Sequence, residues 1–214
     1  MTLVVAPCEY EAAKFAVLNW HYSKRMPKSK MNFFGVWENN KYIGVVIYGS
    51  GANADLVKPY GFTQTEGCEL VRVALTTHKA PVSQIIAESL RQLKKSNPDL
   101  RLVVSFADPD QNHKGGIYQA GNWIYAGKSQ PSEEYVVNGK RWQGRSLRSS
   151  REGHKLGAYP AKNVLEWAQK VLDPKAYVVM GSSKHRYLYP LDKQTRRKVE
   201  KLSQPYPSAI EVSR

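Results

Sequence analysis

The sequence predicts an α+β protein in which helices flank a central mixed, mostly antiparallel sheet. Residues 33–37 and 42–48 are two apolar runs joined by a short loop with two asparagines, which is the pattern of a β-hairpin. Residues 68–75 form another apolar run, and a helical pattern over 81–95 and a further run over 102–106 follow it. A hairpin beside a strand–helix–strand unit indicates a sheet with both antiparallel pairs and a crossover connection.

Four further elements complete the predicted fold. Residues 2–6 indicate a first strand, and residues 10–20 show apolar positions at helical spacing. A second hairpin is expected within residues 131–142, because Asn138-Gly139 is a strong two-residue turn signal. A last helical pattern spans residues 161–172.

Length and composition limit the class of protein. A chain of 214 residues with 42% hydrophobic content is long enough for one well-packed core. No apolar run approaches the ~20 residues that cross a bilayer, so a membrane-spanning protein is not expected. The first residues carry no basic stretch, and Cys8 and Cys68 lie far apart without metal-binding spacing, so we expect a reduced, cytoplasmic protein.

The net charge of +14 is concentrated in the C-terminal third. Residues 1–139 hold 15 basic and 12 acidic side chains, whereas residues 140–214 hold 17 basic and 6 acidic ones. This imbalance indicates a polyanionic partner, nucleic acid ahead of membrane, and a surface that only promotes solubility is the alternative. We therefore expect a catalytic core at residues 1–140 and, at 141–214, a basic extension that packs on the core and contacts DNA.

The basic residues form two groups that are expected to contact DNA. The first group follows Trp20-His21-Tyr22 in a non-helical loop and consists of Lys24, Arg25, Lys28 and Lys30. The second group lies in the C-terminal part and consists of Arg141, Arg145, Arg148 and Tyr187. Basic side chains bind phosphates without reading sequence, and aromatic rings stack on bases.

A candidate anion site lies where the predicted strand 68–75 leads into the next helix. A helix N-terminus offers backbone N–H groups and the positive end of a dipole. The residues expected to bind the donor there are Val73, Leu75, His78, Lys79 and Ser83. An ordinary strand–helix junction is the alternative.

Residues 100–128 hold the main candidate site. The predicted strand 102–106 ends at Asp108-Pro109-Asp110, because proline and two acids cannot continue a sheet interior. A polar loop with His113 and a short helical pattern with Tyr118 follow. Ligands of α/β sheets bind where strands give way to loops, so catalytic residues are expected here. A simple turn capped by Asp108 is the alternative.

The order of these elements resembles the GNAT acyltransferase fold. In that family the helix after the fourth strand holds the pyrophosphate of acyl-coenzyme A, and a tyrosine after the fifth strand is often the general acid. The matching positions are the loop from His78 to Ser83 and Tyr118. This loop lacks the glycines of the family, and its side chains obstruct the close approach of a pyrophosphate.

A narrower resemblance, to the Mom family of phage DNA-modification proteins, covers most of residues 15–206. It rests on NWHYS (19–23), CELVRVALTTHK (68–79), VSFADPDQNHKGGIYQAGNWIYAG (104–127), and KHRYLYPL and QPYP near the end. The resemblance implies a GNAT variant that converts adenine in DNA to a carbamoylmethyl form on its exocyclic amine and so protects the DNA from restriction. It also implies an iron requirement and functional roles for His21, Tyr22, Asp108 and Tyr118.

The chemistry of the adenine amine suggests what these residues do. The amine is a weak nucleophile, so Asp108 is expected to accept its proton and Tyr118 to protonate the leaving group. His21 is expected to act as a base or, with Asp108, as an iron ligand; Asp108, Asp110 and His113 are the alternative metal set. Because the amine is engaged in base pairing, the base must leave the stack. The candidates to stack on it are Trp20, Tyr22, Trp123 and Tyr125.

The donor and the function class each keep alternatives. A coenzyme A thioester, an aminoacyl-tRNA and a free metabolite all fit an anion site beside a basic surface. A conventional GNAT N-acetyltransferase acting on a small amine or a protein is one alternative function, and a non-catalytic nucleic-acid-binding protein is another. The missing glycines and the basic C-terminal part favour the DNA-modifying enzyme over the acetyltransferase.

Overall fold

A computed structural model describes residues 1–27, 29–51, 55–144, 146–148 and 163–207. The chain divides into two compact units. The first comprises Met1–Ala107, His113–Gly127 and the chain from His185 onward, and the second comprises Asp108–Asn112 and Lys128–Lys184.

The described strands and helices are interspersed along the chain. The strands are β1 (Leu3–Pro7), β2 (Met31–Glu38), β3 (Lys41–Gly49), β4 (Gly67–Leu75), β5 (Leu102–Ala107), β6 (Ile124–Lys128), β7 (Glu133–Val137), β8 (Lys140–Gln143), β9 (Tyr177–Met180) and β10 (His185–Pro190). The helices are α1 (Tyr10–Trp20), α2 (Val82–Ser96), α3 (Gly116–Gln119), α4 (Val164–Val171) and α5 (Lys193–Val199).

The central sheet has seven strands in the order β1-β2-β3-β4-β5-β10-β6. The pairs β1–β2, β2–β3, β3–β4 and β5–β10 are antiparallel, whereas β4 and β5 are parallel and connected through α2. The predicted α+β class, with a mainly antiparallel sheet flanked by helices, is confirmed.

Helices cover both faces of this sheet, because neighbouring residues of a strand point to opposite sides. On one face, α2 buries Ile85 and Leu90 in a cluster that also holds Val46 of β3. On the other face, α1 buries Ala16 against Ile47 and its neighbours. The sheet is therefore buried on both sides along β3, as its nearly continuous apolar sequence requires.

Both predicted hairpins are present and depend on left-handed turn residues. Asn39 and Asn40 have φ of 49° and 63° between β2 and β3. Asn138 and Gly139 have φ of 49° and 71° between β7 and β8. Positive φ at both central positions matches the twist of the flanking strands, which explains the choice of asparagine and glycine.

The predicted division into residues 1–140 and a C-terminal extension is wrong. β10 is an internal strand of the central sheet, paired with β5 in register from His185 opposite Ala107 to Pro190 opposite Leu102. Tyr187 and Leu188 are fully buried. The pairing joins segments about eighty residues apart, and no local signal announces such a contact.

The second unit contains a three-stranded sheet in the order β8-β7-β9. Trp167 of α4 is fully buried in its core together with Tyr135 and Leu147. Among the described residues of the whole chain, no helix is long and apolar enough to cross a membrane.

Candidate functional site

The central sheet opens between its two parallel strands. Pairing of β4 with β5 covers only three positions, from Gly67 opposite Leu102 to Glu69 opposite Val104. β4 also bulges there, since Tyr48 faces Leu70 while the preceding Ile47 faces Arg72. Beyond this point β4 pairs with β3, and β5 pairs with β10. We call the region formed by residues 70–75 and 105–107 the β4–β5 opening.

Tyr118 lies at the vertex of the β4–β5 opening. The Ser105 hydroxyl donates to the Leu70 carbonyl over 2.9 Å and lies 2.8 Å from the Tyr118 hydroxyl. A carbonyl only accepts, and serine has one proton, so Tyr118 must donate to Ser105 for both contacts to be satisfied. Ser105 thus bridges β4 and β5 just after their main-chain pairing stops.

The hydroxyl of Tyr118 is held in a buried environment. The side chain is 7% exposed, and burial raises its pKa to about 12, with smaller contributions from nearby Glu69 and Tyr22 that the Ser105 hydrogen bond opposes. Helix α3 begins after Gly115, which has φ of 81°. A Cβ at Gly115 would lie 2.3 Å from the Tyr187 ring, so only glycine fits there. Tyr118 therefore carries its proton throughout the physiological pH range.

Three aromatic rings of the first unit form a row beside this hydroxyl. The rings of His21 and Tyr22 lie 4.3 Å apart, and Tyr22 meets His113 edge-on at 5.7 Å. Tyr22 is 54% exposed, whereas His21 is buried. Tyr22 therefore offers an accessible ring, and its effect on the pKa of Tyr118 indicates that it lies near that buried hydroxyl.

His21 is a neutral imidazole that is not available as a base. Burial lowers its pKa from 6.5 to about 4, and the nearby Arg72 and His113 lower it further. The Ser23 N–H donates to His21 Nδ1 over 3.1 Å, so the proton of the neutral ring is on Nε2. The predicted role of His21 as base or metal ligand does not fit this geometry, since both need a free ring lone pair. Its Nε2–H can instead donate a hydrogen bond.

The sequence pattern did not identify two charged residues of β4, Glu69 and Arg72, as candidate site residues. Glu69 contributes to the high pKa of Tyr118, and Arg72 contributes to the low pKa of His21, so both lie near the site. Arg72 donates to the Val71 carbonyl over 2.7 Å, while no described residue accepts a hydrogen bond from its buried Nε. The available signal was two charges inside an otherwise apolar strand.

Asp108 belongs to the second unit. One of its carboxylate oxygens pairs with Lys184 Nζ at 3.0 Å, and the other accepts the Asp110 N–H over 3.1 Å. The second contact caps the short turn that follows β5, as the sequence indicated. Asp110 in turn accepts the Ser182 hydroxyl at 2.5 Å. Asp108 is thus a well-positioned carboxylate with a lysine partner.

The predicted iron site does not fit these residues. His21 Nδ1 is engaged by Ser23, and Asp108 is engaged by Lys184. Over the described part of the chain, no group of three or more His, Cys, Asp or Glu side chains lies close enough to hold a metal ion. These contacts give no support to the iron requirement that the resemblance implies, which stays a prediction.

The predicted anion site before α2 is filled by the protein itself. One Glu38 carboxylate oxygen accepts the N–H groups of Lys79 and Ala80 at 3.0 Å and 2.8 Å. His78 Nδ1 lies 2.7 Å from the Thr76 carbonyl and must donate to it. The other residues of this prediction are half-buried: Val73, Leu75 and Ser83. A carboxylate that already accepts these N–H groups repels a pyrophosphate.

The residues expected to contact DNA have different environments. Those with exposed side chains are Lys24, Arg25, Lys30, Arg141 and Arg148, and Arg141 pairs with Glu134. Lys28 and Arg145 lie outside the described residues. The prediction for Tyr187 is wrong, because its ring is fully buried and its hydroxyl donates to the Lys114 carbonyl.

The four predicted stacking residues also separate by burial. Trp123 and Tyr125 are 1% and 7% exposed and belong to the main core, so their predicted role is wrong. Trp20 is half-buried and packs edge-on against Phe15. Only Tyr22, among these four, has an exposed ring.

Comparisons with known proteins support the resemblance found in the sequence. A model of the Mom protein family matches residues 2–208. The methylcarbamoylase Mom of Escherichia phage Mu is 26% identical over 202 residues, which cover 91% of this chain and 79% of that protein. Among solved structures, a tandem GNAT protein from the clavulanic acid biosynthesis pathway aligns with a TM-score of 0.41 and 8% identity, over 64% of this chain and 48% of that one.

Proposed function

Because this chain belongs to the Mom protein family, we propose that it is a phage DNA-modifying transferase that places a carbamoylmethyl group on the exocyclic amine of adenine. The relative from phage Mu is named a methylcarbamoylase, which fits this product. The modification would protect phage DNA from restriction in the cytoplasm of the bacterial host. The partners are then DNA and a small-group donor.

The proposed reaction replaces one amine hydrogen. The donor is a carbamoylmethyl group carried on a leaving group. The bond between the adenine nitrogen and the carbamoylmethyl carbon forms as the bond to the leaving group breaks. The amine loses one proton, the leaving group gains one, and no redox step is needed.

The observation that supports this proposal most is the pairing of an exposed ring with a buried acid at the β4–β5 opening. Tyr22 presents a ring on which an extruded adenine can stack. The hydroxyl of Tyr118, which burial keeps protonated, can give its proton to the leaving group in place of its hydrogen bond to Ser105. Ser105 keeps that hydroxyl at the vertex.

His21 of the first unit and Asp108 of the second unit are proposed to act as well, as the family resemblance implies. The Nε2–H of His21 can donate to a developing negative charge on the donor, which suits a neutral imidazole rather than a base. Asp108, whose carboxylate lies 3.0 Å from Lys184 Nζ, is proposed to accept the proton of the adenine amine.

The Glu38 carboxylate bears on which class of donor the protein can bind. A coenzyme A thioester held by its pyrophosphate on α2 would have to displace the Glu38 carboxylate. An aminoacyl-tRNA or a free metabolite needs no phosphate at that position. We propose that the donor enters the β4–β5 opening with its leaving group beside Tyr118.

Exposed basic side chains of the first unit would hold the DNA backbone. Lys24, Arg25 and Lys30 flank Tyr22 in sequence and face solvent. Phosphate contacts of this kind position DNA without specifying bases, so any sequence preference should be short. Affinity should fall steeply as salt rises.

Mass spectrometry of nucleosides from DNA of bacteria expressing the full chain tests the proposal. We expect a deoxyadenosine derivative that is heavier by one carbamoylmethyl group minus one hydrogen, and its absence from the Tyr118→Phe strain. An acetylated nucleoside or protein instead would favour the conventional acetyltransferase. Unmodified DNA together with tight DNA binding would favour a non-catalytic binder.

A further inference from the structure

Asp108 and Lys184 form a salt bridge that the sheet register dictates. β5 and β10 are antiparallel, and Ala107 faces His185 at the end of their ladder. The next residues in the two directions are Asp108 and Lys184, whose charged atoms meet at 3.0 Å. Their side chains are 19% and 32% exposed, so they remain accessible to a ligand.

We propose that Lys184 is a specificity-determining residue, which together with Asp108 reads the Watson–Crick edge of the target adenine. This inference rests on the proposed function. The Asp108 carboxylate would accept an N–H from the exocyclic N6 amine, and the Lys184 ammonium would donate to the adjacent ring nitrogen N1. Flipped bases are commonly read on this edge.

The salt bridge leaves enough hydrogen-bonding capacity for such a reading. Among the described residues, one Asp108 oxygen accepts the Asp110 N–H and the other pairs with Lys184 Nζ, whereas a carboxylate accepts about four hydrogen bonds. The ammonium has three donors, and Asp108 takes one of them. The Asp108 carboxylate and the Lys184 ammonium therefore lie side by side, and each can form further hydrogen bonds with a ligand.

The order of acceptor and donor selects amino bases over keto bases. Adenine presents a donor at N6 next to an acceptor at N1, which complements the carboxylate and the ammonium. Guanine and thymine present the opposite order, a keto oxygen next to a ring N–H, so their keto oxygen would face the carboxylate. Such like-sign contacts are a strong means of rejecting the wrong partner.

Main-chain contacts hold both residues in place. Lys184 and Ser129 exchange two hydrogen bonds, from Ser129 N–H to the Lys184 carbonyl at 2.8 Å and from Lys184 N–H to Ser129 Oγ at 3.0 Å. Asp110, which lies two residues after Asp108 in the capped turn, accepts a hydrogen bond from the Ser182 hydroxyl over 2.5 Å. The pair is therefore preorganised, as a specificity site requires.

Modified substrates and one matched variant test the proposal. The full chain is assayed on oligonucleotides in which the target adenine is replaced by 1-deazaadenine, which lacks the N1 acceptor, or by 7-deazaadenine, which keeps it. We expect the wild type to modify adenine faster than 1-deazaadenine by roughly 10- to 100-fold, the range for one base-edge contact. In Lys184→Gln this ratio should fall severalfold, since glutamine is shorter and uncharged.

Lys170→Gln is the control, because Lys170 forms a similar 2.8 Å ion pair with Glu166 on α4. It should keep the wild-type ratio, and 7-deazaadenine should be modified at a similar relative rate by all three proteins. Equal wild-type rates on adenine and 1-deazaadenine overturn the proposal without any variant. An unchanged ratio in Lys184→Gln, or a loss confined to 7-deazaadenine, also overturns it. A wild type that modifies no adenine refutes the proposed function instead.

Discussion

The two sides of the β4–β5 opening differ in how they hold a tyrosine. Tyr118 is 7% exposed, with its hydroxyl bonded to Ser105 and its ring among the main-core residues. Tyr22 is 54% exposed, and its ring lies against those of His21 and His113. A hydrogen bond holds the hydroxyl of Tyr118, whereas the ring of Tyr22 is exposed to solvent.

This difference separates two functions that the same residue type can serve. A buried hydroxyl with one defined hydrogen bond is suited to proton transfer, because its position and protonation are fixed. An exposed ring is suited to stacking, which needs area and tolerates different bases. At Tyr118 the loss of the hydroxyl in a Tyr→Phe substitution should therefore impair function. At Tyr22 a Tyr→Phe substitution should be tolerated, and only the loss of the ring in Tyr→Ala should impair function.

The largest effect is expected for Tyr118→Phe. The change removes the proposed acid but keeps the buried ring, so catalysis should fall roughly 10²- to 10⁴-fold while folding is largely retained. Single-turnover modification of an adenine-containing oligonucleotide measures the loss. DNA affinity, measured separately, should stay at the wild-type value. If the Tyr118→Phe enzyme works at the normal rate, Tyr118 is not the general acid.

The next effect is the pH dependence caused by His21, whose ring lies 4.3 Å from that of Tyr22. Its pKa is about 4 in the folded protein against an ordinary 6.5, with burial, Arg72 and His113 as the causes. The unfolded chain therefore binds a proton that the folded chain refuses between these pH values, and stability falls as pH drops from 6.5 towards 4. The full contribution is on the order of 3 kcal/mol.

Urea unfolding at a series of pH values measures this slope. His21→Gln should flatten the curve between pH 4.5 and 6.5. If this variant keeps the wild-type slope, His21 is not the titrating group.

Much of the fold could be predicted because its signals are local. The Asn39-Asn40 and Asn138-Gly139 turns, the helical spacing of α2 and the apolar run of β5 each announce their element within a few residues. Tyr118 was also identified at the right place, on the short helix after β5. β10 was missed because its partner strand lies about eighty residues earlier.

The site was predicted less well, because burial and long-range polar partners decide it. Mixed aromatic and basic residues suggested DNA contacts for Tyr187, which is a core residue. The N–H groups before α2 looked available until Glu38, on a distant strand end, was found to bind them. Lys184 begins the segment KHRYLYPL, but only the β5–β10 register brings it to Asp108.

Ser105→Ala tests the buried side by its stability. The change leaves the Leu70 carbonyl and the Tyr118 hydroxyl without their partner, which costs about 1 to 3 kcal/mol for buried polar groups. Chemical denaturation gives the free energy of unfolding. Ser105→Thr, which keeps the hydroxyl, is the comparison, although its extra methyl adds some crowding. If Ser105→Ala leaves the free energy of unfolding unchanged, the bridge between β4 and β5 contributes nothing to stability.

The smallest effect is expected on the exposed side, for Tyr22→Ala. Loss of one stacked base costs roughly 1 to 3 kcal/mol, and Tyr22 is open to solvent, so we expect about a tenfold rise in KM for DNA with a small change in kcat. Tyr22→Phe keeps the ring and should behave like the wild type, the reverse of the pattern at Tyr118. Because no protein hydroxyl partner fixes this side chain in the row with His21 and His113, stability should change little in either variant. If Tyr22→Phe instead lowers kcat as strongly as Tyr118→Phe, the hydroxyl of Tyr22 takes part in the chemistry, and the division between an exposed contact ring and a buried acid has to be given up.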